Sequence, residues 1–229
     1  MEPGNLSGRT LSDRAFEWLE EAIIKGDYPP RSKLDEGALA KAFGISRGPV
    51  REAIRRLEGK KLVERVPHVG ARVAALTGAD LTELFYVREA LEGMACRLAT
   101  LRMTDDEIRD LSDLLEGHAA SGALKAGESY YQRPGDFDFH FRMIQASRNP
   151  KLIAMLCDDL YHLLRIYRYR SSFRQGRARE ALREHRAIVK AMTARDPDAA
   201  ERLMREHLNR ARLVIQTEGQ REIAPAAAP

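Results

Sequence analysis

Apolar residues recur at intervals of three and four along most of this chain, the spacing that places them on one face of an α-helix. Leu11, Ala15, Trp18, Leu19, Ala22 and Ile23 make the first such face, and Gly26 with Pro29 and Pro30 ends it. Asp35 stands where a cap is needed for a short helix through Phe43, with Ala38, Leu39 and Ala42 inward. Gly44 closes that helix in the left-handed position. Ser46 is placed to cap a third helix whose apolar stripe is Val50, Ile54 and Leu57; Pro49 falls in its first turn, where no intrahelical N–H bond is lost. Two short helices separated by Gly44-Ile45-Ser46 predict a helix-turn-helix. LVERV and ARVAAL, residues 62–66 and 71–76, then bracket a tight turn at Pro67-His68-Val69-Gly70 and predict a two-stranded hairpin. Three helices and a hairpin make a winged helix-turn-helix ending near Leu76.

From Thr77 the pattern is helical throughout. It predicts helices at about Asp80–Leu101, Asp105–Ala120, Gly135–Ser147, Pro150–Ser171, Arg174–Ala194 and Asp198–Thr217. Thr104 caps a first turn of Asp105, Asp106 and Glu107, whose charges suit the helix dipole. Asp196-Pro197 repeats that logic, with proline at the first helical position. The expected fold is mostly α: a winged helix-turn-helix over 1–76, an all-α six-helix bundle over 77–222 and a disordered tail over 223–229. No internal repeat is visible.

Composition narrows the class. With 44% hydrophobic and 31% charged residues among 229, the chain is globular and not disordered. No apolar run approaches the roughly 20 residues of a membrane helix, and MEPGNLSGRT lacks the apolar core of a secretory signal. Cys96 and Cys157 lie far apart without a CxxC spacing, which suits reduced thiols in a cytoplasmic protein that engages no membrane.

Net charge is +4, but the window Lys41–Arg72 holds nine basic residues against three acids, +6, so the rest of the chain sums to −2. The positive field is local. Within it, Arg47, Arg51 and Arg55 share the helix face away from the apolar stripe. A helix start fits the DNA major groove, where arginine takes guanine O6 and N7 as a bidentate pair. Backbone N–H groups at the same terminus can hold a phosphate. The alternative is a solvated basic face, and Arg56 is assigned to it, paired with Glu52 four residues back.

The helical region carries three inward histidines. Asp136 and His140 are spaced to share a face; His185 sits among Leu182, Ile188, Val189 and Met192; His207 sits among Leu203, Met204, Ala211 and Val214. Three imidazoles and a carboxylate from one bundle suit a divalent cation, which would satisfy groups that are costly to bury alone. The alternative is a set of satisfied core histidines. Zinc is the first expectation for this donor set, with nickel, manganese and iron as others.

These stretches resemble a known family. ISRGPVREAIRRLEGKKLVER, preceded by LDEGALAKAFG and followed by PHVGARV, is similar to the DNA-binding domain of the GntR family of bacterial repressors. The resemblance implies that Arg47 and Arg51 contact operator bases and backbone and that the wing tip His68-Val69-Gly70 enters the minor groove. The expected DNA-contact set is Arg47, Gly48, Arg51, Arg55, Lys61, His68 and Gly70. Two positions depart from the family pattern: Gly37, where members carry a polar or basic contact residue, and Lys61, where glycine usually follows the recognition helix.

D-x-x-F-H, then S-x-N-P, E-H about 45 residues on and H-L after another 22, resembles the FCD ligand-binding domain of the FadR subfamily. Six helices suit its VanR-like branch. Its metal-binding members use the aspartate and three histidines that correspond to Asp136, His140, His185 and His207; acyl-CoA-binding members lack that set. The resemblance implies a small organic-acid effector at the open metal positions. Arg88 is the candidate to grip its carboxylate, against a structural pairing with Glu92. His118 and His162 are assigned structural roles, and LRIYRYRSSFRQGRAR a solvated helix end in preference to a base-stacking surface.

The expected function is a homodimeric transcriptional repressor that reads a pseudo-palindromic operator and answers to a small carboxylate metabolite. Two rivals have different signatures. A pure metal sensor would respond to the ion alone, and a metal-dependent enzyme with a DNA-binding appendage would turn over a candidate acid.

Overall fold

The computed structural model describes residues 10–75, 78–126, 135–172 and 176–223. The chain divides into two compact units, the first ending at Ala75 but including His162–Ile166, the second holding the remainder.

In the first unit, α1 (Leu11–Lys25) opens on a capping box. The Asp13 N–H donates to Thr10 Oγ1 at 3.1 Å and the Thr10 N–H returns to Asp13 Oδ2 at 2.9 Å. Asp35 caps α2 (Glu36–Phe43) by accepting the Ala38 N–H at 2.7 Å, and Gly44 ends it at φ 64°, where glycine has no Cβ to clash. Ser46 occupies the cap position of α3 (Arg47–Gly59) with extended backbone, yet its hydroxyl makes no cap bond, contrary to expectation. Leu19, Val50, Ile54 and Leu57 are fully buried, so the predicted apolar stripe is the core of this unit. The hairpin pairs β1 (Val63–Val66) with β2 (Gly70–Val73), Val63 opposite Val73 and Val66 opposite Gly70. Its second arm stops at Val73, short of the expected Leu76. Its outer edge is covered: Lys33 bridges Arg72, and the Leu34 N–H donates to the Ala71 carbonyl at 2.9 Å.

The second unit is helical. It contains α4 (Gly78–Arg102), α5 (Asp105–Ala119), a short α6 (Gly122–Ala126), α7 (Phe139–Ala146), α8 (Pro150–Ile153), most of α9 (Tyr161–Ser172), α10 (Arg177–Thr193) and α11 (Pro197–Ile223). α4 packs along α11, α10 lies against α11 and α5, and α7 against α4. At Gly93 of α4 the Arg205 side chain of α11 lies close over the backbone: an added Cβ would stand 2.9 Å from Arg205 Cγ. Arg195 enters the loop before α11 at φ 55° and donates to the Thr100 and Met103 carbonyls at 3.0 and 2.6 Å, capping the end of α4.

Three expectations are corrected. The helix placed over Gly135–Ser147 begins only at Phe139, with a separate 3-10 turn at Gly135–Phe137. The single helix over Pro150–Ser171 is broken: residues Ala154–Asp159 wind as π-helix, the Leu160 N–H reaching back five residues to the Met155 carbonyl at 3.2 Å. Arg165, assigned to a solvated helix end, is buried. Of the expected disordered tail over 223–229, Ile223 ends α11 and the rest lies outside the described residues. Among the described residues no helix is long and apolar enough to cross a membrane.

Candidate nucleic-acid interface and metal centre

At the start of α3 the apolar stripe turns inward and the arginines outward. Arg47, Gly48, Arg51 and Arg55 are exposed, as are Lys61 and His68, with Gly70 half-buried at the foot of the wing. Arg51 Nε donates to Glu36 Oε2 on α2 at 3.0 Å, and Arg55 Nη2 to Glu52 Oε1 at 3.1 Å. The expected Arg56–Glu52 pair is not formed. Arg56 instead donates to Asp13 Oδ1 at 2.7 Å and lies 4.3 Å over the Phe16 ring, because the α1–α3 packing brings that acid and ring within reach. The Thr10 hydrogen bonds, joined by Arg56, hold the Asp13 carboxyl down from 3.8 to about 2.

Both departures from the family pattern have a structural counterpart. Lys61 takes the left-handed backbone that glycine would favour, at φ 59°, and the wing turn repeats this at His68, φ 62°. Gly37 is covered by Arg47: an added Cβ would stand 3.3 Å from Arg47 Nη2 and 3.3 Å from Asp35 Oδ1. The guanidinium occupies the space of the missing side chain.

In the second unit α7, α10 and α11 bring His140, His185 and His207 together, all buried, with one donor nitrogen from each inside a 4.8 Å group. His185 Nε2 and His207 Nε2 are 3.3 Å apart. Each ring is oriented by something else. His140 Nδ1 lies 2.7 Å from Glu92 Oε2, and His207 Nδ1 lies 2.6 Å from Glu184 Oε2. With Nδ1–H donated to a carboxylate, the lone pair of each ring sits on Nε2. His185 stacks on Phe139 at 4.2 Å between ring centres.

Two arginines complete the surroundings. Arg88 and Glu92, one helical turn apart on α4, form a buried ion pair, so the structural pairing weighed for Arg88 is present. Arg177 donates to Glu184 Oε2 at 2.8 Å and lies 3.4 Å from His207 Nδ1. Burial, followed by the neighbouring His207, His140 and Arg177, pushes His185 well below its ordinary value. Burial also lowers His207, with His140 and Arg177 adding to it and outweighing Glu184. Both rings are therefore neutral at pH 7, as metal ligands must be. Three converging donor nitrogens, two of them on rings held by carboxylates and the third on a ring stacked against Phe139, fit a divalent ion.

Asp136 is not brought to this group. It is exposed on the 3-10 turn because Asp138 is the residue that caps α7, accepting the His140 and Phe141 N–H groups at 2.9 and 3.2 Å. A helix that begins after Asp138 cannot place Asp136 and His140 on one face. His118 and His162 also lie outside the cluster. Glu92, Glu184 and Arg177 are the site residues that sequence reasoning missed. Glu92 left a signal, a carboxylate in phase with buried Ala95, Cys96 and Ala99 on α4. Glu184 left a similar one, in phase with buried Ile188 and Ala191 on α10.

The chain matches two family models in tandem: bacterial regulatory proteins of the gntR family over residues 11–73 and the FCD domain over residues 83–210. The HTH-type transcriptional regulator YdhC of Bacillus subtilis is 30% identical over 196 residues, 85% of this chain and 86% of that protein. The HTH-type transcriptional repressor GlaR of Escherichia coli is 30% identical over 202 residues, covering 84% and 90%. The solved structure of McbR/YncC from E. coli shares the fold at TM-score 0.72 and 22% identity, over 92% of this chain and 98% of that one. Two matched domains in this order, on relatives that span nearly the whole chain, place the protein in the GntR family: it is a DNA-binding transcriptional regulator with an FCD domain, and not an enzyme.

Proposed function

We propose that this regulator is a homodimeric repressor of a pseudo-palindromic operator and that a small organic acid, bound at a divalent-metal site in the FCD domain, releases it. The observation that carries the reading is the convergence of three buried imidazoles whose donor nitrogens lie within 4.8 Å of one another. An ion there supplies Lewis acidity that holds a carboxylate. His140, His185 and His207 are the residues to ligate it, zinc being the first choice for such donors and nickel, manganese or iron the others. Glu92 and Glu184 keep two rings aimed inward. The acids that touch the imidazoles are each matched by an arginine, Arg88 or Arg177. A divalent ion would thus add uncompensated positive charge, and a ligand carboxylate relieves it. Arg88, buried behind Glu92, is retained as the effector-facing cation. Asp136 can join the ligands only if the turn at Gly135 winds onto α7.

On the DNA side, Arg47, Gly48, Arg51, Arg55 and Lys61 meet the major groove and backbone, and His68 and Gly70 the minor groove. Their exposure on one basic helix and its wing supports this. Repression accords with the name of GlaR, called a transcriptional repressor. Self-association is supported by α4, which leaves Val87, Met94 and Leu101 exposed at seven-residue steps although its other face is already buried.

Metal content and gel shifts test the reading together. The protein as purified should carry one divalent ion per subunit and His185→Ala none, with operator binding kept but no longer responsive to acid. Operator affinity compared for metal-free, metal-loaded and metal-plus-acid protein should fall only in the last form, by a coupling of about 1–3 kcal/mol. A fall on metal loading alone would make the ion itself the signal.

A further inference from the structure

The two helices of the helix-turn-helix are tied at their outer ends by one ion pair. Glu36 opens α2, and Arg51 lies one turn into α3, fifteen residues later, with Nε 3.0 Å from Glu36 Oε2. Arg55 is paired within its own helix, so of the two it is Arg51 whose direction is set by a different element. The contact uses Nε, and the N–H groups of the two Nη nitrogens take no part in it. The Glu36 side chain is 26% exposed and that of Arg51 65%, so the acid is the better anchored member. Beside it the Arg47 guanidinium rests over Gly37. The first residues of α2 therefore underlie both leading arginines of the recognition helix.

We propose that Glu36 is a positioning residue for DNA reading: it orients Arg51 toward base edges and weakens its hold on DNA of the wrong sequence. The inference rests on reading α3 as the groove-entering helix. A guanidinium gripped at Nε presents its Nη pair in a fixed direction, which suits a bidentate base contact. A phosphate offers no such fixed geometry, and drawing Arg51 toward one pulls a cation away from Glu36 and brings a carboxylate near an anion. The acid thus taxes loose backbone contact more than base contact, and specificity is the difference between the two.

The test uses the full-length protein, with the duplex that wild type enriches from a random pool and a scrambled duplex of equal length. Fluorescence anisotropy across a salt series reads both affinities. With Glu36→Gln the scrambled duplex should gain more than the enriched one, lowering the ratio of affinities roughly threefold to tenfold, and its salt slope should steepen by about one unit. In an Arg51→Ala background the same substitution should leave the ratio where Arg51→Ala alone puts it. A ratio unmoved by Glu36→Gln in the wild-type background overturns the proposal. So does an equal fall in both backgrounds, which would make Glu36 a general surface charge. If Arg51→Ala alone alters neither affinity, the DNA-contact reading of Arg51 fails, and this inference with it.

Discussion

A left-handed φ of 59° at Lys61 lets the chain leave the recognition helix and enter the wing. That conformation costs an L-residue about 1–2 kcal/mol, and glycine escapes most of it at some cost in unfolded-state entropy. Lys61→Gly should therefore stabilise the protein by on the order of 1 kcal/mol in urea unfolding. The same change should weaken all DNA alike and reduce the salt slope by about one unit, since a phosphate-seeking charge is lost. Asp13 offers a pH signature. Its folded value of about 2 lies below its ordinary 3.8, so its stabilising effect is complete above that range and is lost as pH falls from 3.8 toward 2. Asp13→Asn should flatten stability over that window and leave a protein less stable at neutral pH, as acid titrations followed by circular dichroism would read. At this scale the sequence was a partial guide. It marked Thr104 as a cap, which the capping box with Glu107 bears out, and it flagged Lys61 as an unusual occupant of its turn. It misassigned the partner of Arg56, because Glu52 is near in sequence while Asp13 is near only once α1 lies on α3.

Elements decide which side chains meet. α3 is legible because its stripe and its arginines alternate at helical spacing; Ile54, fully buried in the core of the first unit, should cost about 2–5 kcal/mol when cut to alanine. The imidazole site depends instead on where α7 starts. One carboxylate, Asp138, captures two N–H groups and sets the boundary, which leaves Asp136 outside. Asp136→Asn should accordingly lower metal affinity far less than His185→Ala, as chelator competition would measure. The acids that orient His140 and His207 should matter although they do not belong to the donor group itself. Glu92→Gln or Glu184→Gln should cost roughly 10–100-fold in metal affinity, the usual effect of losing a carboxylate that fixes a ligating histidine. An unchanged affinity would mean that packing alone aims the rings.

The whole molecule joins a GntR DNA-binding unit to an FCD unit, and the proposed reading of a pseudo-palindrome calls for two copies of each. α4 buries Phe85, Ala95 and Ala99 in its own unit while Val87, Met94 and Leu101 stay exposed. Apolar residues at seven-residue steps suit a helix that packs against a copy of itself. If the proposed homodimer forms through this face, Met94→Asp should give a monomer in analytical ultracentrifugation and, since two half-sites then bind independently, weaken operator binding by at least tenfold. Retention of the dimer would move the interface to another face.

The sequence by itself determined the class of each half: helical periodicity broken once by a hairpin, arginines opposite an apolar stripe, and three histidines on inward faces. These are properties of single elements, written in local spacing. The tertiary structure alone decided that Glu92, Glu184 and Arg177 attend the imidazoles, that Glu36 holds Arg51, and that Asp136 stays outside. Each of those depends on contacts between residues far apart in the chain, or on one cap winning a helix boundary, and periodicity along a single element carries no information about which faces finally meet.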